Sequence, residues 1–177
     1  MTTTRAAKKT TKPKTVKVKP IETLPRNPFV FEVLDLVSRQ RSKAKKVQIL
    51  KTYEDISIKS VLIWNFDESI ISVLPAGEVP YTGYDEQNTY SGTLSTKLTH
   101  EIRKMHEQGS FSLGASDQQG HTTIRRETMF INILEGLHPL EAEIICLAKD
   151  KNLETKYKIT KEAVSEAYPD IEWGNRS

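Results

Sequence analysis

Apolar residues recur along this chain at helical spacing, and the densest such run lies near the C-terminus. From Thr122, the residues Ile124, Met129, Phe130, Ile133, Leu134 and Leu137 form one broad stripe, the signature of an amphipathic helix with one face in a core. Gly136 stands where that helix can end. Pro139 suits the first position of a following helix that carries Leu140, Ile144, Ile145, Leu147 and Ala148, because a proline there forfeits no intrahelical hydrogen bond. So short a connection predicts an αα-hairpin, and this hairpin is the expected scaffold for the rest.

The same reading extends through the chain. Asn27 followed by Pro28 predicts a helix from Pro28 to Arg39, with Val30, Val33, Leu34 and Val37 inward. Ser42 is expected to cap a second helix running to Tyr53, with Val47, Ile49 and Leu50 inward. A third helix is expected from Glu54 to Phe66, with Asp55 as its cap, burying Ile58, Val61, Leu62 and either Trp64 or Phe66. Its β-branched residues leave a strand as the alternative, but the spacing suits a helix better. Asp67-Glu68-Ser69 is placed to cap a further short turn through Ile70, Ile71, Val73 and Leu74, which Pro75 halts. Helical spacing returns at 95–108 with Leu98, Ile102 and Met105, and Thr160 opens a last helix through Ala167. Pro169 ends it, with Ile171 and Trp173 folding back. The fold class predicted is mainly α: a compact bundle of about six or seven short helices, with residues 27–177 as one domain and 1–26 as a disordered basic arm.

Charge separates the arm from the body. Residues 1–26 hold Arg5, Lys8, Lys9, Lys12, Lys14, Lys17, Lys19 and Arg26 against Glu22 alone, a net of +7, which leaves −4 for the remainder of a chain whose formal net charge is +3. With Val16, Val18, Ile21 and Leu24 as its only large apolar residues, the arm buries too little surface to offset the entropy of ordering it. Such an arm can lie along nucleic-acid phosphates, in a contact that weakens with salt. It has no aromatic residue for stacking on bases, so that contact is expected to be blind to sequence. A solubilising or tethering tail is the simpler alternative.

A second basic set, Arg39, Arg41, Lys43, Lys45, Lys46 and Lys51, occupies 36–53, where there is no acidic residue. It reads either as a phosphate-binding face or as an ordinary solvated helix face. Between Ala76 and Gly92, Tyr81, Tyr84 and Tyr90 interrupt a polar loop. They serve either as a partner-binding surface or as pins that hold the loop to the body.

Chemistry beyond binding finds little footing. Glu135, Glu141 and Glu143 gather near His138, but a histidine before a helix can cap it and a glutamate in its first turn suits the helix dipole. His100 and His106 are six residues apart, which is not the spacing of a zinc-binding helix. No phosphate loop, dinucleotide fingerprint or strained nucleophile turn occurs, so neither catalysis nor a cofactor or metal is expected. The lone Cys146, within an apolar run, reads as a structural thiol and suits a reducing compartment. No apolar stretch approaches the ~20 residues that cross a bilayer, and no apolar segment follows the N-terminal charges. The chain is therefore expected neither to span a membrane nor to be secreted conventionally.

The segments Ser38-Arg39-Gln40-Arg41-Ser42-Lys43, Leu74-Pro75-Ala76-Gly77-Glu78-Val79-Pro80-Tyr81, Phe130 to Ala142 and Lys156-Tyr157-Lys158-Ile159-Thr160 resemble those of a family of small uncharacterised proteins of large tailed phages, notably myoviruses of marine cyanobacteria. The resemblance covers roughly residues 29–173 and leaves the arm outside. It implies phage origin, action in the infected host cytoplasm or in the virion, and phage or host protein partners. It brings no catalytic residues.

Overall fold

The computed structural model describes residues 23–83 and 122–175, which hold seven helices: α1 (Val30–Ser38), α2 (Lys43–Thr52), α3 (Ile56–Phe66), α4 (Thr123–Gly136), α5 (Pro139–Lys149), α6 (Leu153–Tyr157) and α7 (Lys161–Ala167). The helix expected at 95–108 lies outside the described residues, as do Tyr84, Tyr90, His100 and His106.

Helix α5 is the hub. Ala142, Ile144, Ile145 and Ala148 are fully buried, and the helix packs against α1, α3, α4 and α6. Burial of a side chain such as Ile145 stabilises the fold by roughly 1.5–3 kcal/mol. The hairpin partner α4 contributes Phe130, Ile133 and Leu134, while α1 contributes Val30, Val33, Leu34, Leu36 and Val37. On the far side of α1, α2 packs against α7, and the Tyr168 hydroxyl that follows α7 donates to the Leu50 carbonyl at 2.7 Å. The α3 segment is helical rather than extended, with Asp55 accepting from Ser57 N–H at 2.8 Å. Phe66 takes the core position, and Trp64 stays half-buried with its ring edge-on to Phe130, 6.5 Å between centroids.

Two local expectations change, and one helix is new. Helix α1 begins at Val30, not Pro28, and Asn27 does not cap it: Phe29 is the N-cap residue, and its N–H donates to Glu32 Oε2 at 2.7 Å. The rings of Phe29 and Phe31 stack with each other and lie 5.2 and 4.8 Å from the His138 ring, so tertiary packing decides where the helix starts. Gly136 ends α4 without a left-handed φ, and a Cβ there would meet nothing within 4 Å. The corner is held instead by fully buried Leu137 and by His138 Nδ1, which accepts from Leu140 N–H at 3.2 Å. The short helix α6 fills a stretch to which the sequence reading assigned no element, closing on Lys158 in the left-handed region at φ 52°.

After α3 the chain makes one turn around Asp67, whose Oδ1 accepts from the Ser69 N–H and hydroxyl at 2.9 and 2.7 Å. The chain then runs without helix to Gly83. Asp67 Oδ2 also accepts from Gly174 N–H at 3.0 Å, tying the C-terminal segment back, with Ile171 buried and Trp173 against the core.

Candidate functional site

The basic residues of α1 and α2 are the part of the expected interface that the described residues contain, and much of their charge is committed within the protein. Arg39 pairs with Asp35 one turn earlier at 2.6 Å, and Lys43 pairs with Glu166 of α7 at 2.8 Å. Lys46 Nζ donates to the Lys158 carbonyl. Glu166 is held below its usual carboxylate range chiefly by the hydrogen bond from Lys43. Arg41 and Lys51 are exposed and Lys45 is half-buried. Lys43 and Lys46 therefore reach toward α7 and the turn that precedes it, so a phosphate there competes with Glu166 and a carbonyl.

Arg5, Lys8, Lys9, Lys12, Lys14, Lys17 and Lys19 lie outside the described residues. Their point of attachment is defined. Leu24 N–H donates to the Tyr53 hydroxyl at 2.9 Å, and the Leu24 side chain packs against the core.

Tyr81 lies elsewhere. It is half-buried against the core, and burial raises its hydroxyl pKa, with smaller contributions from Cys146 and Glu143 of α5. Among the described residues no hydrogen bond or ion pair joins it to the basic set. Cys146 is half-buried, and its thiol is pushed up to about 11, first by burial.

Sequence reasoning overlooked a group of polar side chains that fix loops to helices, with Glu141, Lys149 and Asn65 buried and Lys151 exposed. Glu141 is 1% exposed, and its Oε1 accepts from Val30 N–H at 2.9 Å. Lys149, 3% exposed, donates to the carbonyls of Pro75 at 2.7 Å and Gly77 at 3.2 Å and pairs with Asp150 at 2.6 Å. Lys151 donates to the carbonyls of Trp64 and Asp67 at 2.9 and 2.6 Å, covering the C-terminal end of α3, and burial lowers its pKa. Asn65 Oδ1 accepts from Leu153 N–H at 3.1 Å. One signal was present in the sequence: Glu141 and Lys149 share the apolar stripe of α5, four residues before and four residues after Ile145.

The glutamate–histidine cluster around His138 is thereby accounted for by capping, an ion pair and a loop contact. His138 caps α5, Glu141 caps α1, Glu143 pairs with Lys156, and Glu135 Oε1 accepts from Thr82 N–H at 3.3 Å. Among the described residues no three His, Cys, Asp or Glu side chains are grouped to hold a metal ion. No helix among them is long and apolar enough to cross a membrane.

No curated protein and no solved structure matches the chain. A family model matches residues 33–155, from the second turn of α1 into α6, and leaves the arm and α7 outside. With most of its folded body covered, the chain belongs to DUF6433, a family of unknown function.

Proposed function

We propose that the protein is a non-enzymatic binding protein of phage origin, whose helical body docks on a phage or host protein while its basic arm adds sequence-independent contact with nucleic acid. The observation that carries the reading is the distribution of charge: +7 in residues 1–26 on a remainder of −4. The pairing of Arg39 and Lys43 with Asp35 and Glu166 supports assigning nucleic-acid contact to the arm rather than to α2. Phage origin rests on the sequence resemblance, and the site of action on this reading is the infected cell's cytoplasm. The occupation of His138 and its neighbouring glutamates by capping and pairing supports a role without catalysis.

The test is binding of the full chain to duplex DNA across a salt series, beside a variant with Arg5, Lys8, Lys9, Lys12 and Lys14 changed to Gln. The native chain is expected to show log K falling with log salt at a slope of about −0.9 for each phosphate neutralised, and the variant a much flatter line. Equal binding by both chains overturns the assignment and transfers it to Arg41, Lys45 and Lys51.

A second reading shares the arm and the resemblance: a virion structural or assembly component whose arm contacts neighbouring subunits or packaged DNA. Mass spectrometry of purified particles separates the two, since stoichiometric presence in the particle favours the second.

A further inference from the structure

A groove of about 410 Å³ opens where the arm joins the body. Leu24, Phe31, Leu140 and Tyr157 give it an apolar lining, with Glu32 and Asp35 alongside. Arg39 and Lys156 also reach it, already paired with Asp35 and Glu143. Leu140 is 41% exposed, a large apolar side chain left open to water. Leu24 is both a wall of the groove and, among the described residues, the apolar side chain of the arm that packs on the body.

The arm is not uniform. Residues 2–15 have no large apolar side chain, and those the arm possesses gather at Val16, Val18, Ile21 and Leu24. Val16 and Val18 alternate with Lys17 and Lys19, the period of an extended chain. Pro20 disfavours helical geometry at Lys19. An extended chain advances at most ~3.5 Å per residue, so Ile21 reaches no further than ~11 Å from Leu24 and Val18 no further than ~21 Å.

We propose that residues 16–21 dock in this groove in an extended conformation, with Val16 and Val18 covering the apolar lining and the long side chains of Lys17 and Lys19 reaching Glu32 and Asp35 at its rim. The arm then has two parts. Its root is a docking segment, and only Arg5 to Lys14 project with their five basic side chains. The docking stands whether or not those five bind nucleic acid.

The test uses the full chain with Cys146→Ser, carrying Val16→Cys and Leu140→Cys, under mild oxidation by a glutathione redox buffer. Both new positions lie at the surface of the body or in the arm, so the fold tolerates them. An internal disulfide, monomeric on a non-reducing gel, is expected to form ~10-fold faster than in a Thr4→Cys/Leu140→Cys control, because docking raises the effective concentration of the pair. Adding Val18→Asp is expected to remove most of that advantage. The proposal is overturned by equal rates for the two pairs, by an advantage that survives Val18→Asp and so reflects tethering alone, or by disulfide-linked dimers, which place a second copy in the groove.

Discussion

Glu141 Oε1 accepts the N–H of Val30 at 2.9 Å, so a carboxylate in the first turn of α5 caps the first turn of α1 across 111 residues of sequence. Because the carboxylate is 1% exposed, no water replaces it when it is removed. Glu141→Ala is expected to destabilise the fold by about 1–3 kcal/mol through the orphaned N–H. Glu141→Gln keeps an oxygen acceptor and is expected to cost less. Urea denaturation of the three proteins checks the order, and equal losses for both variants would contradict the capping role.

Lys149 offers a contrast, since the carbonyls it holds belong to exposed residues, Pro75 and Gly77. In Lys149→Met, water reaches those carbonyls, so the global cost is expected near ~1–2 kcal/mol rather than the larger loss that follows from stranding a buried charge. The local consequence is the sharper readout. Amide exchange over residues 75–82 is expected to accelerate relative to α5, and unchanged exchange there rejects the clamp.

Two glycines are expected to respond with opposite signs. Gly136 is helical, without a positive φ and with open space around its Cβ position, so Gly136→Ala is expected to stabilise by ~0.5–1 kcal/mol. Gly77 has φ +92°, a conformation that an L side chain resists, so Gly77→Ala is expected to destabilise by ~1 kcal/mol or more. Thermal melts of both variants test the pair of signs together.

Alkaline pH is expected to unfold the protein progressively. Burial pushes Cys146 up to about 11 and raises Tyr157 and Tyr168 further above the usual tyrosine range. The unfolded chain then releases these protons at lower pH than the folded one. Stability is therefore fully present below the ordinary thiol range and falls as pH rises through about 9 to 11. Denaturation midpoints measured from pH 7.5 to 10.5 should decline, less steeply in Cys146→Ser. At pH 8 the thiol is expected to react slowly with an aromatic disulfide reagent.

Much of the framework was legible in the sequence because helices α1, α3, α4 and α5 each carry an apolar stripe long enough to show its period. Helix α6 was not, since five residues with only Leu153 and Tyr157 buried show one spacing and no repeat. The start of α1 escaped because Asn27 and Pro28 are good local signals that a distant ring cluster and two distant or reciprocal carboxylates outweigh. The basic set of α2 was legible as composition. Its partners were not: Glu166 and the Lys158 carbonyl lie more than a hundred residues away in sequence, and only folding reveals that those charges are already answered. Glu141 and Lys149 look like surface residues by type, although their positions on the α5 stripe placed them inward.

The Thr82 N–H to Glu135 contact and the Thr122 cap on Arg125 N–H bind the two edges of the 84–121 interval to the two ends of one helix, α4. Among the described residues the two sides of the interval share one core, because α1 and α3 from before it pack on α5 from after it, and α2 packs on α7. A backbone cut between Gly83 and Thr122 is therefore expected to leave two complementary fragments, since the described interior draws on both. Split-protein reassembly, with one fragment fused to each of two reporters, becomes a practical use of this fold.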